Sequence, residues 1–158
     1  MSKHKKMYIQ SNQLVTINPI GENQQKVFDA WDKEKNLFLT GSAGTGKTFI
    51  LLHLAFKAVL DKGQPYNKVV LVRSLLPSRD IGFLPGTLEE KSDLYQDPYR
   101  ILVRYLFEMP SDQGHDVLYD KLAGQGSLEF YSTSFLRGQT FDRSIIICLL
   151  YTSDAADE

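Results

Sequence analysis

The most informative stretch of the sequence is Gly41-Ser42-Ala43-Gly44-Thr45-Gly46-Lys47-Thr48. It matches the pattern G-x-x-x-x-G-K-[ST] at every fixed position. Glycines allow tight turns with positive φ, so that successive backbone N–H groups can point at one anion. A helix that follows such a turn adds N-terminal N–H groups and a dipole that favour phosphate oxygens. We therefore predict that Gly41–Thr48, called the phosphate loop below, binds the phosphates of a nucleotide.

The last two residues of the phosphate loop carry the chemistry that we assign to catalysis. Lys47 is a compact cation able to reach the β- and γ-phosphates of a nucleotide. The hydroxyl of Thr48 suits Mg²⁺, which prefers oxygen ligands in octahedral geometry. ATP and Mg²⁺ are therefore the predicted cofactors, with Thr48 as the metal ligand. The alternative is a glycine-rich turn that matches the pattern by chance, and the strand and helix predicted on either side disfavour it.

The segments around the phosphate loop predict a βαβ unit. A buried strand is predicted at Asn36–Thr40, a helix packed under a sheet at Thr48–Leu60, and a second, parallel strand at Lys68–Arg73. Apolar spacing predicts further elements: a helix at Gln24–Trp31, a helical region at Leu88–Phe107 interrupted at Pro98, and strands at Leu128–Tyr131 and from Ser144. The expected fold is α/β, with a parallel sheet flanked by helices.

Composition limits the other functions. The 158 residues are 42% apolar and 23% charged, which is typical of a soluble globular domain, and the net charge is −1. That charge gives no support for non-specific nucleic-acid binding. No apolar run is long enough to span a membrane, and no apolar stretch follows the basic start of the chain, so we predict a cytoplasmic protein. One cysteine excludes an internal disulfide, and three scattered histidines predict no metal site.

The sequence after the second strand carries a family resemblance. Its motifs are Val72-Arg73-Ser74, Pro77-Ser78-Arg79-Asp80-Ile81-Gly82-Phe83-Leu84-Pro85-Gly86-Thr87-Leu88-Glu89-Glu90-Lys91, Pro98-Tyr99, Ser132-Thr133-Ser134-Phe135-Leu136-Arg137-Gly138 and Thr140-Phe141-Asp142. From about Asn23 to Ile147 the chain resembles the PhoH family, and most closely the PhoH-like proteins of tailed bacteriophages. The name of that family derives from phosphate-starvation induction.

The resemblance implies a P-loop ATPase whose core is similar to that of superfamily 1 helicases. It implies hydrolysis of ATP with Mg²⁺ by the full-length protein, leaves a homo-oligomer open, and suggests RNA as a partner, as proposed for some members. A phage-encoded protein would act in the host cytoplasm. Gln24 lies where the glutamine of helicase-like proteins reads adenine, and an amide suits this task because it both accepts and donates. The alternative for Gln24 is an exposed polar residue on a surface helix.

The roles of three arginines stay open, and so do two functions other than that of an ATPase. Arg73, Arg79 and Arg137 are candidates for phosphate or nucleic-acid contacts, because guanidinium groups match phosphate oxygens. Each of them has an alternative as an ion-paired structural residue. A P-loop kinase would use the same phosphate loop, although no lid or acceptor site is evident in the sequence. A nucleotide-gated binding module would hold ATP without turnover.

The end of the chain departs from the family pattern. In the family, the strand that begins here at Ile145 ends in an Asp-Glu pair, the Walker B motif, which holds Mg²⁺ and polarises the attacking water. Here Cys148-Leu149-Leu150-Tyr151-Thr152-Ser153-Asp154-Ala155-Ala156-Asp157-Glu158 follows, a translation of DNA that resembles a transposase adapter used for sequencing libraries. We therefore expect an N-terminal arm at 1–18, a partial, incomplete P-loop ATPase domain at 19–147 and a non-native tail at 148–158. Such a chain is expected to bind ATP and to hydrolyse it poorly.

Overall fold

The structure is a computed structural model that describes residues 8–74 and 88–150. This part of the chain contains five helices and three strands. The helices are α1 (Glu22–Asp32), α2 (Lys47–Leu60), α3 (Leu88–Leu106), α4 (Asp112–Asp116) and α5 (Leu118–Gly124). The strands are β1 (Lys68–Arg73), β2 (Leu128–Ser132) and β3 (Ser144–Leu149). Single 3-10 turns lie at Ser11–Gln13 and Thr133–Phe135.

The three strands form a parallel sheet in the order β2-β1-β3. Val69 of β1 pairs with Leu128 of β2 and with Ile145 of β3. The four apolar residues of β1 are at most 1% exposed, as a continuous β-branched run predicts for a strand covered on both faces. The α/β class and the predicted strands at β1, β2 and β3 are confirmed.

One face of the sheet packs against three helices. Val69 and Leu71 of β1 lie on this face together with Ile147 of β3, because alternate residues of a strand share a side. The helices contribute Leu52, Ala55, Phe56 and Val59 from α2, Tyr99, Val103 and Leu106 from α3, and Leu118, Tyr119 and Leu122 from α5. The rings of Phe56 and Phe107 meet edge to face, with their centroids 5.5 Å apart. This packing fixes α2, whose first turn belongs to the phosphate loop.

The strand predicted at Asn36–Thr40 is wrong. Within the described residues this run pairs with no strand, and Phe38 is 82% exposed. The run does alternate, since Leu37 and Leu39 are half-buried between exposed neighbours. Alternation predicts an extended backbone but not its partner, and this run pairs with neither outer edge of the three-stranded sheet. The run is therefore an extended connection that leads into the phosphate loop.

The interruption predicted at Pro98 is also wrong, because α3 continues through this residue. Proline inside a helix removes one hydrogen bond and crowds the preceding turn, at a cost of about 3 kcal/mol. Packing after Pro98 offsets that cost. Tyr99 and Val103 are at most 1% exposed, and Arg100 Nη1 donates to Asp120 Oδ1 of α5 at 2.8 Å.

Part of the expected N-terminal arm, residues 1–18, packs against the body of the domain. Ile9 is 2% exposed and belongs to the main core. Leu14 forms an isolated antiparallel bridge with Phe107, which directly follows α3. Burial of Ile9 and pairing of Leu14 tie this segment to elements that are about a hundred residues away in the sequence.

Several predicted features lie outside the described residues. They are the basic residues 1–6, the central motif at 77–87 with Arg79, the side chains of Glu89 and Glu90, and the tail from residue 151. Among the helices of residues 8–74 and 88–150, none has the length and apolar character needed to cross a membrane.

Candidate functional site

The backbone of the phosphate loop bends at its three glycines. Gly41, Gly44 and Gly46 have φ angles of 148°, 75° and 83°. A Cβ atom added at Gly44 would meet no heavy atom within 4 Å, so space is not what requires glycine there. The requirement is conformational, because residues with a Cβ atom rarely adopt these φ angles. The loop therefore has the positive-φ turns expected of a backbone that points N–H groups at an anion.

The end of the phosphate loop is also the start of α2. Gly46 is the N-cap, no side chain caps the helix, and the first turn of α2 holds no acidic residue. Ile50 N donates to Gly46 O at 2.9 Å, so the N–H groups of Lys47, Thr48 and Phe49 precede the first helical hydrogen bond. These N–H groups and the helix dipole give the turn a positive electrostatic potential that favours a phosphate.

The ammonium group of Lys47 lies inside the curve of the phosphate loop. Its Nζ donates to Gly41 O at 2.8 Å and to Ser42 O at 2.5 Å, and lies 3.3 Å from Thr45 Oγ1. Thr45 Oγ1 in turn donates to Ser42 O at 2.9 Å. Residues 41–45 are exposed and Lys47 is half-buried, so solvent reaches the loop and its cation. The charge that would meet a phosphate is thus held by carbonyl groups of the loop.

Thr48 is half-buried in the first turn of α2, one residue after Lys47. A hydroxyl in this position fits one ligand place of Mg²⁺, whose other places are usually filled by phosphate oxygens and water. Among the side chains that the structure describes, in residues 8–74 and 95–150, no group of three or more histidine, cysteine or acidic side chains could hold a metal ion by itself.

Gln24 connects α1 to the phosphate loop. Its Oε1 accepts from Ile20 N at 2.7 Å, and its Nε2 donates to Thr45 O at 3.4 Å. Turning the amide over would place donor against donor and acceptor against acceptor, so these two bonds fix its orientation. One lone pair and one N–H group remain for a ligand. Gln24 is thus brought to the phosphate loop, and its role in reading a base stays a prediction.

The predicted arginines have different surroundings. Arg73 ends β1, and its Nη1 donates to Tyr95 O at 3.2 Å while its guanidinium group lies 5.0 Å from the centroid of the Tyr95 ring. These contacts fit the structural alternative for Arg73, since they join β1 to α3. Arg137 is exposed after the second 3-10 turn.

His53 is a residue near the site that sequence reasoning missed. It lies six residues after Lys47 in α2, is 4% exposed, and its Nε2 is 2.9 Å from Val15 O. Nδ1 is buried and has no hydrogen-bond partner among the described residues. Burial lowers the pKa of His53 below its ordinary value of 6.5, and the nearby charge of Lys57 lowers it further, against the hydrogen bond to Val15. A single histidine in an apolar helix carries no sequence signal for such a contact.

Comparison with known proteins gives consistent matches to one family. Residues 16–149 match the family model described as PhoH-like protein. A PhoH-like protein of Mycobacterium leprae is 33% identical over 133 residues, which cover 84% of this chain and 36% of the relative. Protein PhoH of Escherichia coli K12 is 32% identical over 80% of the chain and 34% of its own length. Protein PhoH2 of Bacillus subtilis is 34% identical over 69% of the chain. The chain thus spans about a third of the length of the first two relatives.

Proposed function

The chain belongs to the family of PhoH-like proteins, and we propose that it binds ATP or ADP together with Mg²⁺ through the phosphate loop, Gly41–Thr48. Lys47 would pair with the β- and γ-phosphates, and the loop N–H groups with the oxygens between them. Thr48 would supply one oxygen to Mg²⁺, and Gln24 would contact the adenine edge. Catalysis in the longer protein would use Lys47 and Thr48 to position the transferred phosphate.

The observation that supports this proposal most strongly is the contact set of Lys47. Its ammonium group is held at 2.8 Å by Gly41 O and at 2.5 Å by Ser42 O, beside N–H groups that have no helical acceptor. A cation and unpaired donors gathered in an exposed turn are the chemistry that a polyphosphate requires.

Turnover is a separate part of the proposal. Efficient hydrolysis needs a carboxylate that orients the attacking water, and β3 has the sequence Ser-Ile-Ile-Ile-Cys-Leu, without an acidic residue. We therefore propose that this chain binds nucleotide with little hydrolysis. ATP hydrolysis by a longer protein, and any coupling of it to RNA, belong to the same proposal.

A second candidate function is a nucleotide-gated binding module that holds ATP without turnover. The two candidates differ in steady-state phosphate release by the intact gene product. Continuous release with ATP, which a lysine-to-alanine change at position 47 stops, supports the ATPase. Tight nucleotide binding without release supports the module.

Binding is tested by calorimetric titration of ADP with Mg²⁺ into the unchanged chain and into Lys47→Ala. Loss of the cation that faces the phosphates is expected to abolish measurable binding. Lys62→Ala is the matched control, because Lys62 is exposed in the turn after α2, at the far end of that helix from the phosphate loop. It is expected to bind as the unchanged chain does.

The proposal fails if Lys47→Ala binds ADP as tightly as Lys62→Ala. It fails equally if the unchanged chain, shown to be folded by circular dichroism, takes up no nucleotide. An unfolded Lys47→Ala variant is not expected, since Lys47 is half-buried at a helix start and fills no core position.

A further inference from the structure

The first anchor of the N-terminal segment is the side chain of Gln125, at the end of α5. Its Oε1 accepts from Ile9 N at 2.9 Å, and its Nε2 donates to Ile9 O at 3.2 Å. The same Nε2 donates to Ser127 Oγ at 2.8 Å, next to the start of β2. One amide thus satisfies both backbone groups of Ile9, as a neighbouring strand would, and holds the buried Ile9 side chain in the core.

The second anchor joins the segment to α3 and α2. Val15 N donates to Leu106 O at 2.9 Å, and Glu108 N donates to Gln13 O at 2.7 Å. Val15 O faces His53 Nε2 of α2 at 2.9 Å, and since a carbonyl oxygen can only accept, the neutral ring of His53 donates this hydrogen bond. The two backbone groups of Val15 therefore bind two different helices.

The third contact of the segment reaches the phosphate loop. Ile20 N donates to Gln24 Oε1 at 2.7 Å, and Gln24 Nε2 donates to Thr45 O at 3.4 Å. Hydrogen bonds thus anchor the segment at three separate points, at Gln125 beside the end of α5, at His53 of α2 and, through Gln24, at the phosphate loop. His53 lies six residues beyond Lys47, about 9 Å along α2 at 1.5 Å per residue. The segment consequently holds both the helix that begins in the phosphate loop and the loop itself.

We infer that residues 9–24 form a strap whose docking sets the position of the phosphate loop, with Gln125 and His53 as its positioning residues. The inference rests on the proposed nucleotide binding at that loop. Neither residue touches the loop, so both act through the strap. A docked strap keeps the amide of Gln24 against Thr45 and adds the hydrogen bond between Val15 O and His53 to the packing that holds α2, whereas a released strap loses both contacts.

A positioning role differs from a merely structural one through thermodynamic linkage. If docking of the strap favours nucleotide binding, then bound nucleotide must favour docking by the same factor. In the unchanged chain, ADP should therefore slow hydrogen exchange at the Ile9 and Val15 amides, which lie outside the phosphate loop. A strap that only adds stability would gain no protection beyond that shared by the whole fold.

Four single variants separate the anchors from the rest. Gln125→Ala removes both hydrogen bonds to Ile9. His53→Leu removes the donor to Val15 O and fills the buried position with an apolar side chain. His53→Gln keeps an N–H donor in a side chain of similar reach and serves as the rescue variant. Gln64→Ala is the control, because Gln64 is exposed in the turn between α2 and β1.

Affinity for ADP is measured by calorimetry, and amide exchange by mass spectrometry with and without saturating ADP. Gln125→Ala and His53→Leu are expected to bind ADP about five- to tenfold more weakly, the lower range of typical coupling between sites. His53→Gln and Gln64→Ala should bind as the unchanged chain does. Equal affinity in all four variants, or ADP that binds without protecting Ile9 and Val15, overturns the inference.

The exchange measurement on the unchanged chain needs no variant, so a failure of Gln125→Ala or His53→Leu to fold leaves the inference testable. Absence of ADP binding by the unchanged chain is a different outcome. It contradicts the proposed function, and the strap then has no nucleotide site to position.

Discussion

At the scale of single residues, backbone conformation matters as much as side-chain chemistry in the phosphate loop. Gly46 has φ of 83° at the N-cap of α2. Gly124 is the last residue of α5, and a Cβ atom added there would meet no heavy atom within 4 Å. The same glycine-to-alanine change should therefore have opposite effects at these two positions.

Gly46→Ala is expected to destabilise the fold by about 1–2 kcal/mol, the cost of a left-handed conformation for a residue with a Cβ atom. Gly124→Ala should instead stabilise it by about 0.4–1 kcal/mol, because alanine loses less backbone entropy in a helix. Urea unfolding of both variants measures the difference. The same sign of change for both would contradict the backbone conformation assigned to Gly46.

A substitution at Gln24 tests whether this residue recognises the base of the nucleotide. The remaining acceptor and donor of Gln24 match the N6 amino group and a ring nitrogen of adenine. On the edge that carries N7, guanine presents acceptors only. Gln24→Ala is expected to weaken ATP binding more than GTP binding, by about 1–3 kcal/mol for a lost pair of hydrogen bonds. Gln25→Ala is the control, since Gln25 donates to Asp29 within exposed α1. Equal losses for both nucleotides would return Gln24 to the surface alternative.

His53 gives the fold a dependence on pH. Burial holds its pKa below the ordinary 6.5, so the unfolded chain binds the proton more readily than the folded one. The resulting stability is fully present above pH 6.5 and is lost as the pH falls below that value. Glu129 does not obscure this window, because the hydrogen bond from Lys68 holds the pKa of Glu129 below 4.5 and its contribution is lost only at lower pH.

We expect the free energy of unfolding to fall between pH 7.5 and pH 5.5, by about 1.4 kcal/mol for each unit of pKa difference that this window spans. His53→Gln has no group that titrates there and should show a flatter profile. Urea unfolding at a series of pH values provides the comparison. Parallel profiles for the two proteins would mean that His53 is not held neutral by the fold.

At the scale of elements, local sequence patterns predicted the features that depend on neighbouring residues. The helix predicted at Thr48–Leu60 is present as α2, which begins one residue earlier, at Lys47. The strand at Lys68–Arg73 has the predicted bounds. Pairing is not local, so Asn36–Thr40 was assigned to a sheet that it does not join. The strap could not be predicted for the same reason, because Gln125 and Ile9 are 116 residues apart.

The candidate site divides in the same way, into features of consecutive residues and contacts between distant residues. The phosphate loop was predictable because all its parts are consecutive residues. A role of Gln24 beside a bound base was expected only from a family resemblance, whereas its contact with Thr45 and that of His53 with Val15 were not expected at all. Both join residues that no periodicity relates, so the sequence pattern alone holds no information on them.

The alternation of β3 leads to an element-scale prediction. Ile146 is 52% exposed, whereas Ile147 is 5% exposed and belongs to the main core. Ile147→Ala is expected to cost about 2–5 kcal/mol in unfolding free energy, as for other large-to-small changes in a core. Ile146→Ala should cost much less, because it empties no packed space. Comparable losses in urea unfolding would contradict the burial pattern of β3.

At the scale of the whole molecule, exposed apolar side chains suggest association. Phe38 is 82% exposed, Ile146 52% and Leu150 69%. Alternate residues of a strand share a side, so Ile146 and Leu150 expose apolar side chains on the same side of the β3 segment. Exposed apolar surface of this kind favours self-association, so we expect the chain to form concentration-dependent oligomers. Ile146→Lys should shift sedimentation velocity profiles towards the monomer, and Lys62→Glu, at an exposed turn, should not. A chain that stays monomeric at high concentration would refute this expectation.

The relation of the chain to its relatives is also a property of the whole molecule. The family match runs to residue 149 and includes Cys148 and Leu149 of β3, two residues that the sequence pattern assigned to the tail. The matched relatives named above are bacterial, so a phage origin stays a prediction. The assignment of residues 148–158 to adapter DNA also stays a prediction, and a longer DNA read through the locus tests it.

The phosphate loop is proposed to receive the phosphates of a nucleotide. The most direct test is titration of ADP with Mg²⁺ into the ¹⁵N-labelled chain, followed through the amide resonances. We expect the amides of Gly44, Gly46 and Lys47 to shift with a common dissociation constant, because their N–H groups lie in the loop. The amides of Gly63 and Gly126, in turns that follow α2 and α5, should not move. Saturable binding of ADP that leaves the loop amides unchanged would show that the phosphates bind elsewhere.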